Sequence, residues 1–170
     1  MNRFENLLIE AIPSLRRYAW ALSGDADQAD DLVQECLARA ISRRKLWISH
    51  KGMRPWLFTI MHNIYLNAAR RAANAPVVGS IEDYGKSTVS QSDADTICTI
   101  SDFEQSLQQL SAEHRETLLL VGLEQLSYKE ASKVAGVPVG TIMSRLSRAR
   151  EQLRKGLSGE TQVASIRRVK

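Results

Sequence analysis

Between Leu126 and Arg154 the sequence reads LSYKEASKVAGVPVGTIMSRLSRAREQLR, and it gathers Thr141, Met143, Ser144, Arg145, Ser147 and Arg148 within eight residues. The chemistry open to such a set is recognition of a polyanion rather than bond making. A guanidinium such as that of Arg148 can donate two hydrogen bonds to a guanine edge in a major groove, and the Ser144 hydroxyl can bond a base edge or a phosphate. Thr141, near a helix start, and the flanking Arg145 and Arg150 suit phosphate oxygens. A second set lies in RPWLFTIMHNIYLNAARR, residues 54–71, where Trp56, Thr59, Asn63, Asn67 and Arg70 fall on one side of a helix with Arg71 at its end. Aromatic rings stack on bases, amides read their polar edges and arginines follow phosphates, which together suit a single strand of DNA. A third set, in ADQADDLVQECLARAISRR, presents Asp31, Gln34, Glu35 and Ala38 as an acidic and amide strip, followed by Arg39, Arg43 and Arg44.

Catalytic alternatives find no support. His50, His62 and His114 have no metal-ligand spacing with Cys36 or Cys98, no glycine-rich phosphate loop occurs, and no nucleophile stands with a base. The expectation is no enzyme, no metal, no cofactor and no small-molecule substrate.

The elements that must position these sets are helices. Leu7, Leu8, Ala11, Leu15, Tyr18 and Ala19 form one apolar stripe, Val33, Cys36, Leu37 and Ala40 a second, and Leu57, Ile60, Met61, Ile64 and Ala68 a third. Ser23-Gly24-Asp25 supplies a helix stop beside a helix cap, and Pro55 suits a first helical turn. Further on, Phe103, Leu107, Leu110, Leu118, Leu119, Val121 and Leu126 resume the rhythm, with Ser111 as a cap for a helix from Ala112. Ser127 and Glu130 form a capping box, Gly136 permits a sharp turn, and Pro138 opens a second helix whose Ile142, Leu146, Ala149 and Leu153 face inward. That order is helix-turn-helix grammar. The stretch from Ala75 to Thr99 is rich in Ser, Thr, Asp and Gly and lacks a period. The sequence therefore predicts an all-α chain of two small helical domains, residues 1–74 and 103–157, joined by a flexible linker over 75–102 and followed by a basic tail over 158–170.

Charge follows the same division. The chain of 170 residues has a net charge of +4 and a pI near 9.3. Residues 1–75 hold 11 basic and 7 acidic groups, residues 76–110 hold 1 and 6, and residues 111–170 hold 11 and 6. Two basic lobes thus flank an acidic connector, the distribution expected when the lobes rather than the connector meet nucleic acid. No segment has the length and apolarity of a membrane span, and the first residues, MNRFENLLIEAIPSLRR, lack the pattern of a secretion signal, so a cytoplasmic location is expected. The two cysteines imply no disulfide framework.

Taken jointly, the motifs resemble those of the extracytoplasmic-function sigma factors, a branch of the sigma-70 family, over nearly the whole chain. LRRYAWALSGDADQADDLVQECLARA resembles the first part of sigma region 2, RPWLFTIMHNIYLNAARR its promoter-melting part, and Leu107 to Leu153 sigma region 4. RPWLFTI followed by HN is also similar to alphaproteobacterial members, including those of the general stress response. The resemblance implies a promoter-specific transcription initiation factor whose partners are core RNA polymerase, through the clamp helices of its largest subunit and its flap, promoter DNA, and an anti-sigma factor. It implies that Asp31, Leu32, Gln34 and Glu35 grip the clamp helices. The loop from Lys45 to Met53 would cradle a flipped base of the −10 element, and Trp56, Asn63, Asn67, Arg70 and Arg71 would read that element. Met143, Ser144, Ser147 and Arg148 would read the −35 element. Two positions depart from the common pattern: Asn67 stands where many relatives carry aspartate, and Met143 where they carry a basic residue. A plain helix-turn-helix regulator is the other reading of the C-terminal motif, but it would require a dimerisation helix that the sequence does not offer.

Overall fold

The computed structural model describes residues 2–48, 52–74 and 94–158, and all regular structure among them is helical. Helix α1 spans Arg3–Ser23. Asn2 caps it, accepting from the Glu5 N–H at 3.0 Å while the Glu5 carboxylate takes the Asn2 N–H at 3.1 Å. Gly24 ends it with φ at 72°, where a side chain would be strained, and its N–H reaches the Trp20 carbonyl at 2.8 Å. Asp25 then caps α2, Ala26–Ser42, by accepting from the Gln28 N–H at 2.8 Å. The stop and the start expected at Ser23-Gly24-Asp25 are both there. A single tight turn over Arg44–Leu46 leads toward α3, Met53–Asn74, which carries Pro55 in its first turn.

These three helices close a core of Leu15, Tyr18, Leu22, Cys36, Leu57, Phe58 and Met61, all at 1% exposure or less. The Tyr18 and Phe58 rings meet edge to face at 4.9 Å, a favoured geometry for aromatic quadrupoles. The Cys36 thiol donates to the Leu57 carbonyl at 3.5 Å, and burial pushes it up to about 12, so it stays protonated.

The second unit comprises α4 (Ala94–Gln108), α5 (Ala112–Leu118), a wider helical turn over Leu119–Leu123, α6 (Tyr128–Ala135) and α7 (Val139–Leu157). Ser111 caps α5, and Ser127 with Glu130 forms the expected capping box on α6. Gly136 adopts φ 66° between α6 and α7, and Ile142, Leu146 and Ala149 face inward as expected. Helix α4 begins at Ala94, so the last nine residues of the stretch expected to be a flexible linker are helical. Their Ser, Thr and Asp content carries a weak preference against helix, which a continuing helix readily overrides. Residues 75–93 and the tail from 159 onward lie outside the described residues. Helix α4 crosses α7 closely: a Cβ on Gly156 would meet the Ser106 hydroxyl oxygen at 3.0 Å.

The two units pack against each other, α1 on the wide turn and on α5, and α3 on α6. Arg115 stitches the junction by donating to the carbonyls of Leu107, Gln108 and Leu110 in its own unit and of Leu22 in the first, the last at 2.9 Å. Gln108 adds a bond to the Ala21 carbonyl at 3.1 Å.

Candidate nucleic-acid interface

Helix α7 sorts its residues as its period demands. Gly140, Met143, Ser144, Ser147 and Arg148 face solvent, while Ile142 and Leu146 lie beneath them. Met143 is 52% exposed and gives the outer face an apolar contact. Ser144 turns its hydroxyl onto the Thr141 carbonyl at 3.0 Å, and Thr141 is half-buried. Arg145 differs from its neighbours: it pairs with Glu113 of α5 at 2.9 Å and keeps only 19% of its side chain exposed. It braces the motif instead of standing free toward a phosphate. Tyr128, at the start of α6, joins Met143, Ser147 and Arg150 around a shallow notch beside the outer face of α7. Sequence periodicity did not single out Tyr128, because it belongs to the preceding helix. Nearby, Arg154 and Lys155 hold the exposed Glu151 carboxyl below its usual range.

On α3 the residues expected to meet a single strand separate into two groups. Asn63, Asn67, Arg70 and Arg71 are exposed along one stripe. Trp56 is half-buried, its ring edge-on to Phe4 at 6.2 Å, so it anchors the start of the helix against α1. Lys45 is exposed in the turn after α2, while residues 49–51 of the loop lie outside the described residues.

Helix α2 presents Asp31, Gln34 and Glu35 outward, with Glu35 paired to Arg39 one turn on. Leu32 is buried at 8% exposure and forms the floor of a groove between α2 and the far half of α3. Asp31 and Glu35 rim that groove, and Tyr65, Ala68 and Ala72 supply its opposite wall. An acidic rim over a small-residue wall suits a helix with basic side chains.

Comparison with known proteins identifies the arrangement. Residues 8–62 match the family model described as the Sigma2 domain of PhyR, and residues 100–153 match Sigma-70, region 4. The chain is 38% identical to the ECF RNA polymerase sigma factor EcfG of Rhodopseudomonas palustris, over 86% of this chain and 80% of that one. The chain belongs to the extracytoplasmic-function RNA polymerase sigma factors. A sigma factor of the same class, SigL of Mycobacterium tuberculosis, is 37% identical over 82% of this chain and 80% of its own length. Among solved structures, the sigma factor RpoE from Bartonella quintana, determined with the anti-sigma factor NepR, superposes with a TM-score of 0.79 at 32% identity, covering 93% of this chain and 98% of its own. CnrH, solved with the cytosolic domain of CnrY, shares the fold at a TM-score of 0.66 and 22% identity, over 92% of this chain and 88% of its own. In this sigma factor, α1–α3 thus correspond to region 2 and α4–α7 to region 4.

Five residues at the junction escaped the sequence reading: Arg17, Arg54 and His62 of region 2, and Glu116 and Glu124 of region 4. Arg17 and Arg54 both reach Glu124, and His62 meets Glu116. One signal was present, since Glu116 and Glu124 stand four residues either side of the buried Leu120 and so share its inward face.

Proposed function

We propose that this sigma factor holds core RNA polymerase through Asp31 and Glu35 at the rim of the Leu32 groove and the exposed Gln34 beside them, with region 4 seated on the polymerase flap. Lys45, Asn63, Asn67, Arg70 and Arg71 engage the −10 element as it melts, with Trp56 fixing the helix that carries them. Met143, Ser144, Ser147 and Arg148 enter the −35 major groove, Thr141 supports the helix start, and Arg145 keeps that helix aligned. The observation that carries this reading is the pair of outward stripes, one on α3 and one on α7, in a chain whose two family matches fall on the same two units. Unstacking bases costs a few kcal/mol per step, which polar contacts and phosphate pairing at the α3 stripe can recover.

RNA synthesis belongs to the polymerase, and the sigma factor contributes placement in the cytoplasm, with no catalysis of its own. Restraint by an anti-sigma factor of the NepR kind is supported by the likeness to the Bartonella quintana pair, and the resemblance of RPWLFTI with HN to general-stress-response members favours a role in that response. No helix among the described residues is long and apolar enough to cross a membrane.

Run-off transcription with purified core polymerase tests the assignment. Specific transcripts that appear only with this chain, and that fade with Asn63→Ala and Arg148→Ala, are the expected result. Tight duplex binding without polymerase association would replace it with a simple helix-turn-helix regulator.

A further inference from the structure

Region 4 drives two carboxylates into region 2, and nearly every partner they find there belongs to the other domain. The Glu124 side chain has no exposed surface. Its oxygens accept from the Ser14 hydroxyl, from the Arg17 guanidinium at 3.1 Å and from the Arg54 guanidinium at 2.7 Å. Arg54 also donates to the Glu124 carbonyl at 3.0 Å. Two turns earlier, Glu116 is 6% exposed, meets the His62 ring at Nδ1 and accepts from the Tyr18 hydroxyl at 3.4 Å. Burial and the adjacent Glu116 hold the Tyr18 phenol well above its usual value, so it remains a donor.

The backbone is unusual at the same place. Leu119–Leu123 winds wider than an α-helix, with the Glu124 N–H reaching back to the Leu119 carbonyl at 2.9 Å. Immediately after Glu124, Gln125 takes φ 56°, a left-handed conformation rarely adopted without glycine. Wide turns of this type concentrate at sites with a task beyond packing. A buried carboxylate is tolerated when charged donors surround it and is strongly disfavoured when they are withdrawn inside a dry interface. Separating the domains would instead return Glu124 to water, which Arg17 and Arg54 already meet with about half of their side chains. The contact therefore favours one of two states, fully engaged or fully apart.

Promoter geometry requires the second state. Elements centred at −10 and −35 lie about 25 base pairs apart, roughly 85 Å of duplex at ~3.4 Å per pair. A packed chain of this length is only about 40 Å across. The closed body cannot place α3 and α7 on both elements at once.

We infer that the packed arrangement is an autoinhibited state, and that Glu124 seated among Ser14, Arg17 and Arg54, with Glu116 on His62 and Tyr18 as a second point, is the latch that holds it shut. This rests on the reading that α3 and α7 engage one promoter together. An open state populated as a small fraction lowers apparent affinity for polymerase by that fraction, so releasing the latch raises it in proportion.

The test uses the full chain as wild type, as Glu124→Gln and as Arg54→Gln, the two substitutions lying on opposite sides of the contact. Small-angle X-ray scattering reads the separation of the domains, far-UV circular dichroism the helix content, and titration with core polymerase the affinity. The expected result is a compact wild type, variants with a larger radius of gyration and unchanged helix content, and core affinity raised about tenfold. If one variant loses helix content, the other decides. A wild type already expanded, variants as compact as wild type, or expansion without any gain in affinity would each overturn the latch. A compact wild type that never binds core polymerase would instead overturn the promoter-bridging reading, while scattering alone would still report whether Glu124 holds the domains together.

Discussion

Phe58 and Tyr18 in region 2, and Glu116 and Glu124 in region 4, are all sealed from solvent, yet by different means. The aromatic pair meets edge to face among the helices of region 2, with the Tyr18 hydroxyl reaching across to Glu116. The two glutamates are enclosed only while region 2 stands beside them. Apolar burial is indifferent to direction and follows area, whereas a buried carboxylate demands particular donors at particular places. Region 2 thus builds most of its core from apolar side chains of its own helices and displays the exposed stripe proposed to meet the −10 element. Region 4 has an inner surface whose buried carboxylates are completed by its neighbour.

The strongest way to break that contrast is Phe58→Ala, which opens a cavity in the apolar core of region 2 and should lower its stability by about 3–5 kcal/mol. Denaturant unfolding followed by the fluorescence of Trp20, Trp47 and Trp56 reads this loss, since all three tryptophans lie in region 2. A loss below about 1 kcal/mol would mean that the Tyr18–Phe58 pair is not a main prop of that core. Next comes Arg148→Ala, on the solvent face of region 4, which should reduce transcription from promoters with an intact −35 element by about 10- to 100-fold, the equivalent of ~1–3 kcal/mol. Melting temperature should stay unchanged, because the side chain is exposed. A smaller effect, about 1 kcal/mol, is expected for Ser127→Ala, which removes the cap of α6 and should appear as a lower thermal midpoint.

The smallest effect at neutral pH concerns Cys36, whose thiol should react with a soluble disulfide reagent only as fast as region 2 opens. Alkali sharpens the same comparison. Unfolded, Cys36 ionises near 9.0, and folded near 12, so between these values the unfolded chain sheds a proton that the folded chain retains. Stability is therefore full below about pH 9 and falls as pH rises toward 12, and the raised Tyr18 phenol acts in the same direction. Both groups lie in region 2, so tryptophan fluorescence should register alkaline unfolding, and Cys36→Ala should make the loss shallower.

Much of this was legible in the sequence because helices announce themselves by period and punctuation. Gly24 with Asp25, Ser127 with Glu130, and Gly136 each act within four residues of chain, and each took the predicted form. The outward faces of α3 and α7 followed from the inward ones by subtraction. What the sequence concealed was long-range and polar. Nothing local to Arg54 signals a carboxylate 70 residues away, and Arg145 reads as a free cation until α5 places Glu113 against it. Trp56 was ambiguous for the same reason, since Phe4 lies on a different helix. Leu32 fell within the motif expected to grip polymerase, but its period turns it inward, and only its neighbours Asp31 and Glu35 reach the rim of the groove.

The crossing of α4 over α7 at Gly156 also sets where mechanical load enters region 4. The chain leaving region 2 returns through α4, and α4 bears on the last turns of α7, where Ser106 nests against Gly156. Eight residues of helix, about 12 Å, separate that seat from Arg148. A pull on α4 would therefore arrive as shear at the rear of α7, about two turns from the exposed Arg148.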